Sequence, residues 1–236
     1  MLNSLIFELE KKASKEKAEL YKRYFKTGKG EYGEGDVFIG LTMPQQREIA
    51  KKYLNLSLNK LQELLKNDIH EFRMAALIIL TEKYRKAKTP EDKENIFGFY
   101  LKNTKYINNW DLVDVTCQRI VGNFLLEFPK NKKLLYNLAK SKNLWERRIA
   151  IVSAGKFISN EEFDDVLALA ELLLDDDHDL MHKAVGWMLR EVGKKDSDVL
   201  RNFLKGNYDR IPRTTLRYAI EKFSEDERKR WLKGRI

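Results

Sequence analysis

Apolar residues recur at i, i+3, i+4 and i+7 along most of this chain, and the strict alternation of a half-buried strand is almost absent. The stretches LSLNKLQELLKN, EEFDDVLALAELLLDDD and DLMHKAVGWMLREVG carry the pattern most clearly, and each predicts an amphipathic helix. Start signals agree with it. Thr89-Pro90 places a capping side chain before a proline at the first helical position, and Pro44 and Pro212 stand where helices can begin. Ser159 with Glu162, and Ser224 with Glu227, have the spacing of a capping box. The expected fold class is all-α.

The helices also recur at a near-constant step. Arg73-Met-Ala75, Asp111-Leu-Val113, Arg148-Ile-Ala150, His182-Lys-Ala184 and Arg217-Tyr-Ala219 each put a polar residue two places before a small or apolar one. Anchored on the last residue of each, the steps are 38, 37, 34 and 35 residues. That is the length of one helical hairpin, so the prediction is an α-solenoid of HEAT-like repeats, a single domain over residues 1–236. A small anchor suits close helix–helix contact. In such an array equivalent positions line one curved surface, and charge scattered in sequence becomes a concave basic groove. Arg73, Arg148, Arg217, Lys183 and the tail RKRWLKGR are candidates for its lining. The segment Gly28–Asp36, GKGEYGEGD, interrupts the helical pattern. It lacks the GK[ST] ending of a phosphate-binding loop, and no strand pattern precedes it. It reads as a flexible connector, with a loop that approaches DNA or rearranges on binding as the functional alternative.

Composition narrows the partners. Of 236 residues, 43% are hydrophobic, enough to fill a core, and Lys and Arg exceed Asp and Glu by 45 to 36. The resulting charge of +9 and pI near 9.3 favour phosphate-bearing partners, nucleic acid above all, over an inert basic surface. Cys117 is the only cysteine, which excludes an intramolecular disulfide and fits a reducing, cytoplasmic compartment. The N-terminal MLNSLIFELEKKASKEK lacks the apolar core of a signal peptide, and no apolar run reaches the length of a membrane span. His70, His178, His182 and Cys117 show no metal-site spacing, so no metal or cofactor is expected.

One stretch, YINNWDLVDVTCQRIVG, raises a sharper question. Trp110 and Asp114 stand four apart on one helical face, an awkward pair to bury together. At about 100° per residue, Trp110, Asp114 and Arg148 share roughly a 100° arc when their repeats are superposed, and Trp187 lies off it. Singly, each residue has an ordinary role: Asp114 as a complement to the helix dipole, the tryptophans as core, Arg148 as solvated charge. Together they make a more specific proposition.

Trp110-x3-Asp114, WERRIAI around Arg148 and HKAVGWMLRE around Trp187 resemble the DNA alkylation repair glycosylases of the AlkD type. FIGLTMPQQREIAKKY and PRTTLRYAIEKF are similar to the same family, so the resemblance runs from about Tyr21 to Trp231 with its motifs in order. It implies HEAT-like repeats around a positively charged groove for duplex DNA, and hydrolysis of the N-glycosidic bond of N-alkylated purines of the 3-methyladenine and 7-methylguanine types. It also implies Asp114 as the catalytic carboxylate, Trp110 and Trp187 as aromatic walls, Arg148 as a phosphate contact and Tyr24 as an aromatic contact from the N-terminal helices. A monomer is expected, because a one-piece array can bend around a duplex alone. The alternatives are a non-catalytic protein that binds branched or otherwise unusual DNA, and a protein–protein scaffold.

Overall fold

The computed structural model describes residues 1–235. Among them the fold is all-α, and the one β-type contact is an isolated parallel bridge between Val37 and Ile69. Two compact units divide the chain, Met1–Ile120 and Val121–Ile236. The first holds α1 (Leu2–Lys11), α2 (Lys15–Tyr24), α3 (Met43–Lys51), α4 (Leu58–Leu65), α5 (His70–Lys86), α6 (Pro90–Lys102) and α7 (Trp110–Cys117). The second holds α8 (Asn123–Glu127), α9 (Lys133–Ala139), α10 (Leu144–Ser153), α11 (Gly155–Ile158) and α12 (Asp164–Leu172), then α13 (Asp179–Lys195), α14 (Ser197–Gly206), α15 (Arg213–Ala219) and α16 (Glu225–Leu232).

Each unit is organised on one long helix. In the first, α5 is buried without a break from His70 to Thr81, as its nearly all-apolar middle, MAALIIL, dictates. The helices α3, α4, α6 and α7 pack against it. In the second, α13 takes that place, with α10, α12, α14 and α15 around it. Gly186 in α13 permits the α15 contact: a β-carbon there would stand 2.6 Å from the Thr215 carbonyl oxygen. Gly40 has the same use in the first unit. Its φ of +86° suits glycine, and a β-carbon would sit 2.2 Å from the Ser14 carbonyl oxygen.

The repeat reading holds at its anchors. Ala75, Val113, Ala150 and Ala184 are 0% exposed and Ala219 is 1% exposed, one each on α5, α7, α10, α13 and α15. A further regularity escaped the sequence: α7, α10 and α13 are entered through the side chains of Asn109, Asn143 and His178, which accept from backbone N–H groups of the first turn. The start signals at Thr89 and Ser224 hold too, with Asp92 N and Glu227 N donating to the two hydroxyls. Ser159 does not begin a helix. It closes α11, Glu161 turns to a φ of 62°, and Glu162 N returns to the Phe157 carbonyl, so α12 starts later, at Asp164.

Among the described residues no helix is long and apolar enough to cross a membrane.

Candidate functional site

Trp110 and Asp114 both lie on α7, and the burial pattern of that helix answers where their face points. Leu112, Val113, Thr116 and Cys117 are buried, while Trp110, Asp111, Asp114, Val115 and Gln118 are only half-buried. On a helical wheel the half-buried set fills one continuous arc of about 140°, and the buried set fills the opposite side. Asp114 and Trp110 therefore stand on the wetter face, beside Asp111. Directly after α7 the chain makes a π-helical turn over Gln118–Gly122, a widened geometry found often at functional sites.

The start of α7 is held by a polar network that sequence reasoning missed. Asp36, the last residue of the glycine-rich segment, is buried, and its carboxylate accepts from four side chains. The donors are Arg73 Nη2 at 2.6 Å, His70 Nδ1 at 3.2 Å, Asn109 Nδ2 at 3.1 Å and Asn108 Nδ2 at 3.3 Å. The other ring nitrogen of His70 lies 2.9 Å from Asp111 Oδ2. Burial pulls the imidazole pKa down, but the charges of Asp111 and the hydrogen bonds to Asp111 and Asp36 outweigh it, and the value is pushed up to about 9. The ring is thus protonated at neutral pH and donates from both nitrogens. Burial likewise pushes the Asp36 carboxyl up, yet His70, Arg73 and Asn109 outweigh that and hold it below the ordinary value. The glycine-rich segment is a connector, but it joins α2 to α3 and does not follow the first helix, and its end is tied down as well by the backbone bonds Val37 N to Asp68 O and His70 N to Val37 O.

Aromatic rings complete the setting. Trp110 stacks on Phe25 with centroids 5.2 Å apart and planes at 18°, and Phe25 stacks in turn on Phe38. Tyr24, 61% exposed, meets Trp110 edge-on at 5.8 Å, so the aromatic contact expected from the N-terminal helices touches the expected tryptophan. A cavity of about 140 Å³ opens beside these groups, lined by Tyr21, Tyr24, Phe25, Phe38, His70 and Asp111 among others. Its lining also includes Glu71, whose carboxylate accepts from the backbone N–H groups of Ile39, Gly40 and Leu41.

The basic candidates separate. Arg73, expected in the groove lining, is instead 6% exposed, with its guanidinium on Asp36 and the Asn67 carbonyl, and it serves the network and not an open lining. Arg148, also expected in the lining, is likewise enclosed: it is 5% exposed, and its Nη1 donates to the Leu180 carbonyl at 2.6 Å, joining α10 to the first turn of α13. Trp187 is half-buried on α13. Lys183, on the same helix, is half-buried and pairs with Asp179 at 2.7 Å, and Arg217 on α15 is exposed. In the tail, Arg228, Lys229 and Arg230 are exposed while Trp231 is buried.

A family model described as DNA alkylation repair enzyme matches residues 5–223. The chain belongs to the DNA alkylation repair enzyme family. Two solved structures share its fold. One is described as a predicted DNA alkylation repair enzyme from Enterococcus faecalis, 16% identical, with a TM-score of 0.71 over 90% of this chain and 97% of that one. The other is AlkD2 from Streptococcus mutans, 19% identical, with a TM-score of 0.59 over 95% of this chain and all of that one. No curated protein matches. For a DNA alkylation repair enzyme the substrate is DNA, which gives the surplus positive charge a purpose. One further basic pair stands out in that light. Arg47 on α3 has its pKa lowered by burial and then by the like charge of Arg119, with the charge of Glu82 acting the other way. Nothing in the spacing of Arg47 and Arg119 signals it, because the two come from separate helices.

Proposed function

We propose that this member of the DNA alkylation repair family is a glycosylase that hydrolyses the N-glycosidic bond of cationic N-alkylated purines in duplex DNA. The observation that carries the reading is the placement of Trp110 and Asp114 together on the half-buried arc of α7. An N3- or N7-alkylated purine is already cationic and departs as a neutral base, so the bond breaks without a strong general acid. Positive charge develops instead on the deoxyribose as an oxocarbenium ion. In this reading the Asp114 carboxylate stabilises that cation and orients the attacking water. The Trp110 indole attracts the same charge through its face, by about 0.5–2 kcal/mol. Trp187 would offer a further indole, while Arg217 and Lys183 contribute sequence-independent attraction to the backbone. Tyr24 extends the aromatic surface beside Trp110. The chemistry asks for no cofactor, and the working species is a monomer.

The test is duplex DNA treated with a methylating agent, followed by measurement of liberated 3-methyladenine and 7-methylguanine. Wild-type protein should release them. Asp114→Asn should keep duplex affinity and lose release by roughly 10²–10³-fold, the scale of removing one electrostatic contact made in the transition state. Binding of duplex without any release by the wild type would mark a non-catalytic DNA-binding protein. Release undiminished in Asp114→Asn would remove that residue from the chemistry.

A further inference from the structure

We propose that Asp36 and His70 are positioning residues for the reaction, fixing the turn of α7 that carries Trp110 and Asp114; the inference rests on reading that face as the one that meets DNA. The network gathers three separate pieces of chain at one point. Asp36 closes the glycine-rich segment, His70 and Arg73 open α5, and Asn108, Asn109 and Asp111 enter α7. Two independent routes lead from His70 to the functional face. One is polar: His70 Nε2 holds Asp111, the residue next to Trp110, at 2.9 Å. The other is a stack of rings. His70 lies against Phe38 with centroids 4.5 Å apart, Phe25 is 5.3 Å from His70, and Trp110 is 5.2 Å from Phe25. Asn109 joins the two routes, since its amide nitrogen donates to Asp36 while its oxygen caps Trp110 N at 2.8 Å.

Stability alone does not account for this arrangement. The buried side of α7 already carries Leu112, Val113, Thr116 and Cys117, enough to seat the helix on α5. Buried ionic groups add little net stability over apolar packing of the same volume, and their best-attested use is to fix a single arrangement. Here the arrangement fixed is the rotation and entry angle of a helix with a carboxylate and an indole on its half-buried face. Catalysis by positioned charge is steep in such placement, and a misplacement near 1 Å can cost on the order of 10²-fold.

The experiment uses the full chain with His70→Gln and Asp36→Asn, both close to isosteric and uncharged, and first checks that each unfolds cooperatively. The Trp110 indole N–H resonance, assigned through Trp110→Phe, reports the position of the ring without any reaction. Duplex affinity and single-turnover base release are then measured on the same samples. The expected result is a displaced or broadened Trp110 signal with those of Trp145, Trp187 and Trp231 unmoved, release lowered about 10- to 100-fold, and duplex affinity changed less than about threefold. Folded variants with an unmoved Trp110 signal and wild-type release would overturn the proposal, as would equal losses of affinity and release. If the variants fail to fold, Asp111→Asn, at the less buried end of the network, takes their place with the same readouts. A displaced Trp110 signal in a protein whose wild type releases no base would retire the glycosylase reading and leave only the placement of α7 to the network.

Discussion

Raising the pH through the titration of His70 should destabilise this protein, and the size of the loss follows from the network. The imidazole is almost wholly enclosed and is held at a pKa of about 9, against 6.5 for the free side chain. A folded-state pKa above the unfolded value stabilises by binding a proton more tightly, so the contribution is complete below about pH 6.5 and lost as pH climbs through 9. A difference of about two and a half units at 1.36 kcal/mol each amounts to about 3 kcal/mol between pH 6 and pH 10. That is a large share of the 5–15 kcal/mol that stabilises a typical domain. The assay is urea denaturation at pH 6 and pH 10 for wild type and His70→Gln, because lysine and tyrosine titrations common to both cancel in the difference. Wild type should lose about 3 kcal/mol more than the variant over that interval. The Hε1 proton resonance of His70 should titrate with a midpoint well above neutrality. Equal pH dependence in the two proteins, or a midpoint at or below 6.5, would refute the reasoning.

Other consequences can be checked alongside it. Asp36 has the opposite sign: its pKa is lowered, so its contribution is present above about pH 3.8 and disappears as the solution is acidified; Asp36→Asn should therefore flatten the acid limb of the stability curve. Glu71→Gln keeps one oxygen for Gly40 and Leu41 but sets an amide NH2 against the Ile39 N–H and removes the charge, and should lower unfolding free energy by roughly 1–3 kcal/mol, read by urea midpoint; an unchanged midpoint would contradict a role for the charged carboxylate there. Gly186→Ala places a β-carbon 2.6 Å from the Thr215 carbonyl and should cost about 1–3 kcal/mol in spite of alanine's better helix propensity; a raised Tm would contradict the close α13–α15 approach. Duplex affinity should fall steeply with salt, and Arg217→Ala should reduce the log–log slope by about one, whereas a flat salt response would favour a protein–protein scaffold.

Hydrophobic periodicity was sufficient for the class of fold, because a helix declares itself locally: the apolar stripe, the proline at its first turn and the spacing of one helical hairpin all lie within a short run of chain. The five anchors, from Ala75 to Ala219, are buried for that reason. The Trp110–Asp114 pair was legible in the same way, since i and i+4 share a face in any α-helix. Charge was not. Arg73 and Arg148 read as surface lysines and arginines usually do, yet both are enclosed, because burial of a cation depends on whether a partner from elsewhere arrives to meet it. For Arg73 that partner is Asp36, 37 residues away in the chain. Asp36, His70 and Asp111 carry no local pattern that joins them. Only the tertiary structure, by bringing the end of a glycine-rich segment against the starts of two helices, decides that they form one network and that α7 is held where it is.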